Sequence, residues 1–338
     1  MHVWMLDGGF GSQHLRKALR PEPTPGPGQV CLRMESWSLN YRDLLVIHGR
    51  YHPGLKLPHV PCSDGVGIVE VAGPGVEGLK VGQRVATCFM PDWTYGPLND
   101  AARASAIGAE VPGILSEYVV LPAHGVIPVP DYLSANEAAT YPCAGLTAWN
   151  TLFEASTLKP GQTILTLGTG GVSLFAIQFA KLAGLRVIAT TGTPEKAAHL
   201  KNLGADHVIF HHDNPDWGRQ ARDLAGGDGV DLVVEVGGAG TLDQTIQAVR
   251  PGGTIALIGL LAQNAKNNPN LLPILMKAIR LQGIFVGSRA MFERMNIALE
   301  SWRLKPVIDC VFPFDEAPQA FAHLASGKHV GKVCIQAI

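Results

Sequence analysis

The run Leu167-Gly168-Thr169-Gly170-Gly171-Val172-Ser173 is the densest concentration of chemistry in the sequence. It follows a strand-like segment, Thr163–Leu167, and opens an apolar helical pattern at Val172–Ala183. Gly168 lets the chain turn tightly. Gly170 lets backbone N–H groups approach a pyrophosphate, which the positive end of the helix dipole then stabilises. Thr169 and Gly171 complete the loop. Ser173 replaces the third glycine of G-x-G-x-x-G, so the match is close rather than complete. Glycine-rich turns also occur for packing alone, but the strand before, the helix after and the βα units beyond favour a dinucleotide.

About twenty residues downstream, an acid would hold the ribose 2′-hydroxyl of NAD. The chain reads Ala189-Thr190-Thr191-Gly192-Thr193 there, with no acid. A 2′-phosphate could accept hydrogen bonds from Thr191, Thr193 and Lys196, so NADP(H) is the favoured cofactor. No arginine stands ready to clamp the phosphate through two parallel bonds, which leaves NAD(H) open and Lys196 also readable, as the lesser alternative, as a solvated helix residue.

His48, His52, His59 and Cys62 share one stretch and could gather a metal, although solvated loop histidines are the commoner case. The six cysteines (Cys31, Cys62, Cys88, Cys143, Cys310, Cys334) are dispersed without a CxxC pair, which suits free thiols in a reducing compartment. No Ser–His–Asp arrangement or carboxylate pair stands out.

Two textures carry these residues. Up to about residue 130 the chain is rich in Gly and Pro, with short strand-like runs such as Val30–Met34, Gly67–Val71 and Glu117–Leu121. After Pro130, strand-like Thr163–Leu167, Arg186–Thr190, Val208–Phe210, Asp231–Val236, Thr254–Ile258 and Gly283–Val286 alternate with helical segments. One helix opens at Thr193-Pro194-Glu195, a capping residue followed by Pro and an acid in the first turn. Alternating β and α elements imply a parallel sheet covered on both faces. The last fifty residues lose the alternation and end in Lys332-Val333-Cys334-Ile335, read as a strand returning to the first domain. The expected domains are 1–130 with 290–338, and 131–289.

With 338 residues, two domains are the natural expectation. A formal net charge of −1 and scattered Lys and Arg argue against nucleic acid as a partner. No apolar run reaches membrane-spanning length, Thr254–Leu261 being strand-sized, and no secretory pattern opens the chain. A cytoplasmic protein is expected.

Several further motifs make the chain resemble the medium-chain dehydrogenase/reductase superfamily, in its zinc-free, quinone-oxidoreductase-like branch. They are Ser38–Asp43 with Gly49 and Tyr51, Ser63–Gly67, Lys80–Val85, Cys143–Trp149, Gly168–Val172, Lys196, Gly204–His207 and Pro251-Gly252-Gly253. The resemblance covers essentially the whole chain. It implies a doubly wound Rossmann sheet for the dinucleotide, a mostly β GroES-like substrate domain, an active cleft between them and a homodimer.

Zinc members of the superfamily carry Cys where this chain has Asn40, His where it has Ser63, and Cys at Cys143. Asn40 and Ser63 are poor zinc ligands, so the resemblance implies no catalytic zinc. Thr87–Gly113 contains only Cys88, so the four-cysteine structural zinc lobe is missing too. By the same resemblance Thr147 and Val172 pack on the nicotinamide, and backbone groups near Ile258, Gly259, Val286 and Gly287 hold its carboxamide. Arg42 and Leu45 stand where the alcohol-specific proton relay would be. Tyr51 matches a tyrosine of related enoyl reductases and is the first candidate to donate a proton or hydrogen bond, with Asn40 and Tyr41 next; Asp43 reads as a backbone-fixing residue. Tyr51 could equally be an ordinary aromatic lining the cleft. The expected activity is zinc-independent, NADPH-dependent reduction of a small-molecule quinone, enone or α,β-unsaturated carbonyl. The alternatives are a zinc-independent alcohol or aldehyde oxidoreductase, and an NADPH-binding sensor with little turnover.

Overall fold

The computed structural model describes residues 1–337 except Pro53 and residues 263–268. The chain divides into two compact units, Met1–Leu146 with Val286–Ile338, and Thr147–Phe285. The division falls at 146/147 and 285/286 rather than at 130/131 and 289/290. The reason is local packing. Asn136 receives a hydrogen bond from Ser36 Oγ at 2.7 Å and donates to Gln336 at 2.9 Å, tying the segment after Pro130 to the first unit.

The first unit is built on the long strand Gln29–Leu39. One edge pairs antiparallel with Asp64–Ala72. The other edge is shared end to end, Tyr118–Pro122 covering residues 29–33 and Lys332–Gln336 covering residues 36–39. Arg84–Thr87 and Val126–Pro128 extend the sheet beyond Asp64–Ala72, and Ile308–Pro313 closes its opposite edge beside Lys332–Gln336. Buried Val30, Leu32, Met34, Trp37, Val69, Val333 and Ile335 fill its core. Register is the feature that matters for chemistry. Ser38 sits opposite Asp64, and Leu39 opposite Val333. The carboxyl end of one strand and the amino ends of two others therefore meet at one point.

The second unit is a six-stranded parallel sheet, ordered His207–Phe210, Arg186–Thr191, Thr163–Leu167, Val230–Glu235, Val249–Leu257, Arg280–Gly283. In chain order this is 3-2-1-4-5-6, the Rossmann arrangement, with the order in which strands are added reversing between Thr163–Leu167 and Val230–Glu235. The strands are near-continuous apolar runs, Leu165, Ile188, Val233 and Ile255 being fully buried, as a sheet covered on both faces requires. The last strand is Arg280–Gly283 and not the expected Gly283–Val286. Val286 has φ 54°, which no extended strand accommodates. Among the described residues, no helix is long and apolar enough to cross a membrane.

Candidate active site and cofactor cradle

In the second unit, Gly168–Gly171 lie at the carboxyl end of the first strand, where the sheet order reverses and open α/β sheets bind their ligands. Gly168 has φ 73°, a conformation that favours glycine. A Cβ on Gly168 or Gly170 would meet nothing within 4 Å, so the loop faces open space. Helix Gly171–Leu182 has Gly170 as its N-cap and no side chain capping it, which leaves its first N–H groups available to an anion. Ser173, in place of the third glycine, donates to Leu167 O at 2.7 Å and so still binds helix to strand. Thr169 is buried; Val172 is half-buried at the helix start.

Beside this loop, Thr191 is buried and its hydroxyl lies 3.4 Å from both Thr193 N and Thr193 O, closing a small turn. Thr193 is exposed, and Lys196 is half-buried on helix Pro194–Asn202. Two residues with no motif to announce them join the turn. His211 N donates to Thr191 O at 3.1 Å, and the His211 and His212 rings lie 4.6 Å apart. Burial, helped by His212, lowers the His211 pKa and keeps that ring neutral.

Glu235 ends the fourth strand fully buried. Its Oε1 accepts from Gly237 N (2.7 Å), Gly238 N (2.9 Å) and Thr241 Oγ1 (2.7 Å), and Oε2 accepts from Thr245 Oγ1. The Glu235 carbonyl receives Ile258 N at 2.8 Å and Gly259 N at 3.3 Å. One residue thus shapes the turn next to the glycine loop and anchors both second-unit residues expected at the carboxamide. Val286 and Gly287, the other two, fall in the first unit. A β-branched residue at φ 54° stores about 1–3 kcal/mol of strain. Thr147 is buried, and its carbonyl accepts from Thr151 Oγ1 at 2.8 Å. A concavity lined by Gln162, Asp231, Arg250 and Arg280 opens at the amino ends of the strands, opposite the cradle.

In the first unit the converging strand ends bring Asn40, Ser63, Asp64 and Lys332 together. Lys332 is buried, and its Nζ donates to Leu39 O at 2.6 Å and Asn40 Oδ1 at 2.5 Å. An ammonium offers only donors, so the Asn40 amide must turn its oxygen to Lys332 and carry Nδ2 on its far side. Nδ2 is buried and makes no hydrogen bond of ordinary geometry, while the amide still favours the ionised Asp64 at longer range. Asp64 accepts from Ser63 Oγ at 2.7 Å and Cys143 N at 2.8 Å. Burial raises its pKa, with the Lys332 charge and the Ser63 hydrogen bond opposing.

Asp43 Oδ2 accepts from Asn40 N at 2.8 Å and caps helix Tyr41–Ile47, the backbone-fixing role its position suggests. Burial pushes the Asp43 carboxyl up to about 6 against the pull of Arg42. Arg42 Nη1 donates to Ile107 O at 2.6 Å, and its guanidinium lies 4.8 Å from the Tyr51 ring centre and 4.7 Å from that of Phe89. Burial raises the Tyr51 phenol pKa, partly offset by the Arg42 charge, so Tyr51 stays a proton donor at neutral pH. Tyr41, by contrast, is 43% exposed and stands outside the buried cluster.

These side chains do not fit a catalytic zinc. Lys332 already occupies the Asn40 oxygen and the Ser63 hydroxyl is spent on Asp64, which leaves Cys143, whose thiol burial pushes up, as a lone soft donor, short of the three ligands a catalytic zinc needs. Cys88 is likewise a buried thiol pushed up to about 12. His48 is exposed, His52 pairs with Glu110 at 3.1 Å, and His59 and Cys62 are buried. Among the described residues these four do not form a metal-ligand group.

Residues 26–131 match the alcohol dehydrogenase GroES-like domain, and residues 171–301 match the zinc-binding dehydrogenase family. A zinc-type alcohol dehydrogenase-like protein of Schizosaccharomyces pombe is 42% identical over 92% of this chain and 91% of its own. The chain belongs to the medium-chain dehydrogenase/reductase superfamily. It is an oxidoreductase with a GroES-like domain and a Rossmann domain. Within the superfamily it is also similar to an acryloyl-coenzyme A reductase of Sulfurisphaera tokodaii, 28% identical with 94% of each chain covered. A mycobacterial protein solved in complex with NADPH superposes with a TM-score of 0.82, 29% identity and 99% of both chains covered.

Proposed function

We propose that this oxidoreductase is a zinc-independent, NADPH-preferring reductase of a quinone, an enone or an α,β-unsaturated carbonyl. The observation that carries the reading is the Lys332–Asn40 contact, which puts an internal ammonium and an oriented amide where zinc members keep ligands. NADPH, when bound, supplies the hydride; the protein must orient the acceptor and meet the charge that develops on its oxygen. Asn40 Nδ2 supplies a buried donor and Tyr51 a neutral phenol, while Tyr41 remains a candidate only at the rim. The similarity to an acryloyl-coenzyme A reductase supports a conjugated carbonyl acceptor. The alcohol or aldehyde reading is the second, and the name of the S. pombe relative favours it. A homodimer is supported by exposed Leu271, Leu272, Leu275 and Met276 beside the open edge strand Arg280–Gly283.

The test follows oxidation of NADPH with matched enones, quinones and aldehydes, with and without a chelator. Turnover of enone or quinone that survives chelation is expected. Turnover confined to alcohols and aldehydes, or activity lost on chelation and restored by zinc, would overturn the proposal.

Cofactor choice has its own test. The similarity to an NADPH-bound structure and the absence of an acid at Thr191 support NADPH. A charge-assisted hydrogen bond is worth about 1.5–3 kcal/mol, or roughly tenfold or more in affinity. Lys196→Ala should therefore raise the Kd for NADPH about tenfold or more and leave that for NADH unchanged, by fluorescence titration. Equal losses for both cofactors would show that Lys196 does not read the 2′-phosphate.

A further inference from the structure

On the first unit, far along the sequence from the residues assigned to catalysis, the edge strand Ile308–Pro313 carries an irregularity. It runs parallel to Lys332–Gln336, with Ile308 opposite Lys332 and Cys310 opposite Val333. The edge strand thus advances two residues while its partner advances one, and Asp309 is the extra residue. A bulge of this kind re-aims side chains, which lets consecutive residues serve one point instead of opposite faces. Asp309 and Cys310 do so, together with His323 from helix Ala317–Ala325. A carboxylate oxygen, the thiol sulfur and an imidazole nitrogen all lie within 4.8 Å of one another.

We propose that Asp309, Cys310 and His323 form a divalent-metal site, with zinc the cation that its ligand set suits best. Carboxylate, thiolate and imidazole are the three protein donor types of zinc sites, and three of them leave a fourth tetrahedral position for water.

Two neighbours hold two of the three ligands in place. Asp309 Oδ1 accepts from Val330 N at 3.0 Å, which leaves Oδ2 facing His323 Nε2 at 2.7 Å. The Phe312 ring, 5.9 Å from that of His323, packs beside the imidazole. Although burial opposes it, the Val330 N–H and His323 together lower the Asp309 pKa, so the carboxylate is ionised and ready. Cys310 is half-buried; burial and its hydrogen bond to Asp309 push the thiol up to about 12, so the cation itself must draw off the proton as it binds. The cation would join edge strand to helix through bonds stronger than the present His323–Asp309 contact, and would release the thiol proton to solvent on binding.

The experiment uses the full chain, stripped with chelator and dialysed, then titrated with cobalt(II) and with zinc(II). One equivalent of cobalt should produce a thiolate-to-cobalt charge-transfer band, and zinc should displace it. Cys310→Ser should abolish the band, and His323→Gln should weaken zinc binding by at least about 100-fold, since loss of even a second-layer partner costs 10–100-fold. Both variants should keep wild-type turnover, because neither residue belongs to the proposed catalytic cluster. Absence of the band in the wild-type chain, or a band unchanged in Cys310→Ser, would overturn the proposal. Chelation separates the two sites: metal lost without loss of activity fits this site, whereas metal lost together with activity points to the Asn40 region and counts against the zinc-free reading instead.

Discussion

Replacing Tyr51 by Phe should lower kcat toward an enone by about 10²–10⁴-fold, the usual contribution of a positioned general acid, with NADPH affinity unchanged. The substitution keeps the ring over the Arg42 guanidinium and removes only the hydroxyl, so it separates proton donation from packing. Arg42 is tied to Ile107 O and flanked by Phe89 as well, which keeps the ring's seat intact in the variant. A quinone accepts hydride with less need of a placed acid, and its rate should fall less. The enone-to-quinone ratio is thus the sharper readout. Wild-type rates for both acceptors in Tyr51→Phe would reduce Tyr51 to a lining residue and leave the proton to water or to the Asn40–Tyr41 segment.

The second large effect is expected at Lys332. Methionine there preserves length and apolar packing but deletes both donors, so Leu39 O and Asn40 Oδ1 are left buried without partners. Each orphaned acceptor costs about 1–3 kcal/mol, which predicts a loss of roughly 2–6 kcal/mol in chemical denaturation. The loss should be non-additive with Asp64→Asn, because the Lys332 charge favours the ionised form of Asp64 against the opposing effect of burial. If Asn40 acts as proposed, turnover should fall in the same variant, since nothing then fixes which end of its amide Lys332 holds. Lys332→Arg should recover part of the stability. A Lys332→Met chain as stable as wild type, or a strictly additive double variant, would remove Lys332 from the network.

The glycine cradle of the second unit and the Asn40 cluster of the first differed in how far they could be read in advance. The glycine loop was legible because its meaning is local: a left-handed turn, an uncapped helix start and a preceding strand lie within a dozen residues. The parallel sheet was legible for the same reason, through the alternation of apolar strands and helices, while its Rossmann character followed from the family resemblance and its strand order from the structure. Lys332 was not, because it reaches Asn40 across 292 positions, and only the pairing of Leu39 with Val333 brings the two together. Its sequence context is that of a strand start. Glu235 left a faint trace, an acid closing an apolar strand directly before Val236-Gly237-Gly238, which reads as a solvent-facing strand end until its four donors are seen. Val286 shows the opposite limit. Apolar and β-branched, it extends a strand pattern, yet the backbone there turns left-handed and the strand stops three residues earlier.

The shared edge of strand Gln29–Leu39 also governs the order in which the protein can be made. The second unit is one unbroken stretch, Thr147–Phe285, and can collapse on the ribosome as soon as it emerges. The first unit cannot. Half of one edge of its central strand waits for Lys332–Gln336, and until then Ser36–Leu39 present an unpaired row of backbone groups. The same late segment brings the ammonium that fixes Asn40. The nascent chain can therefore complete its Rossmann unit early, and the proposed Asn40 cluster only once Lys332–Gln336 has emerged.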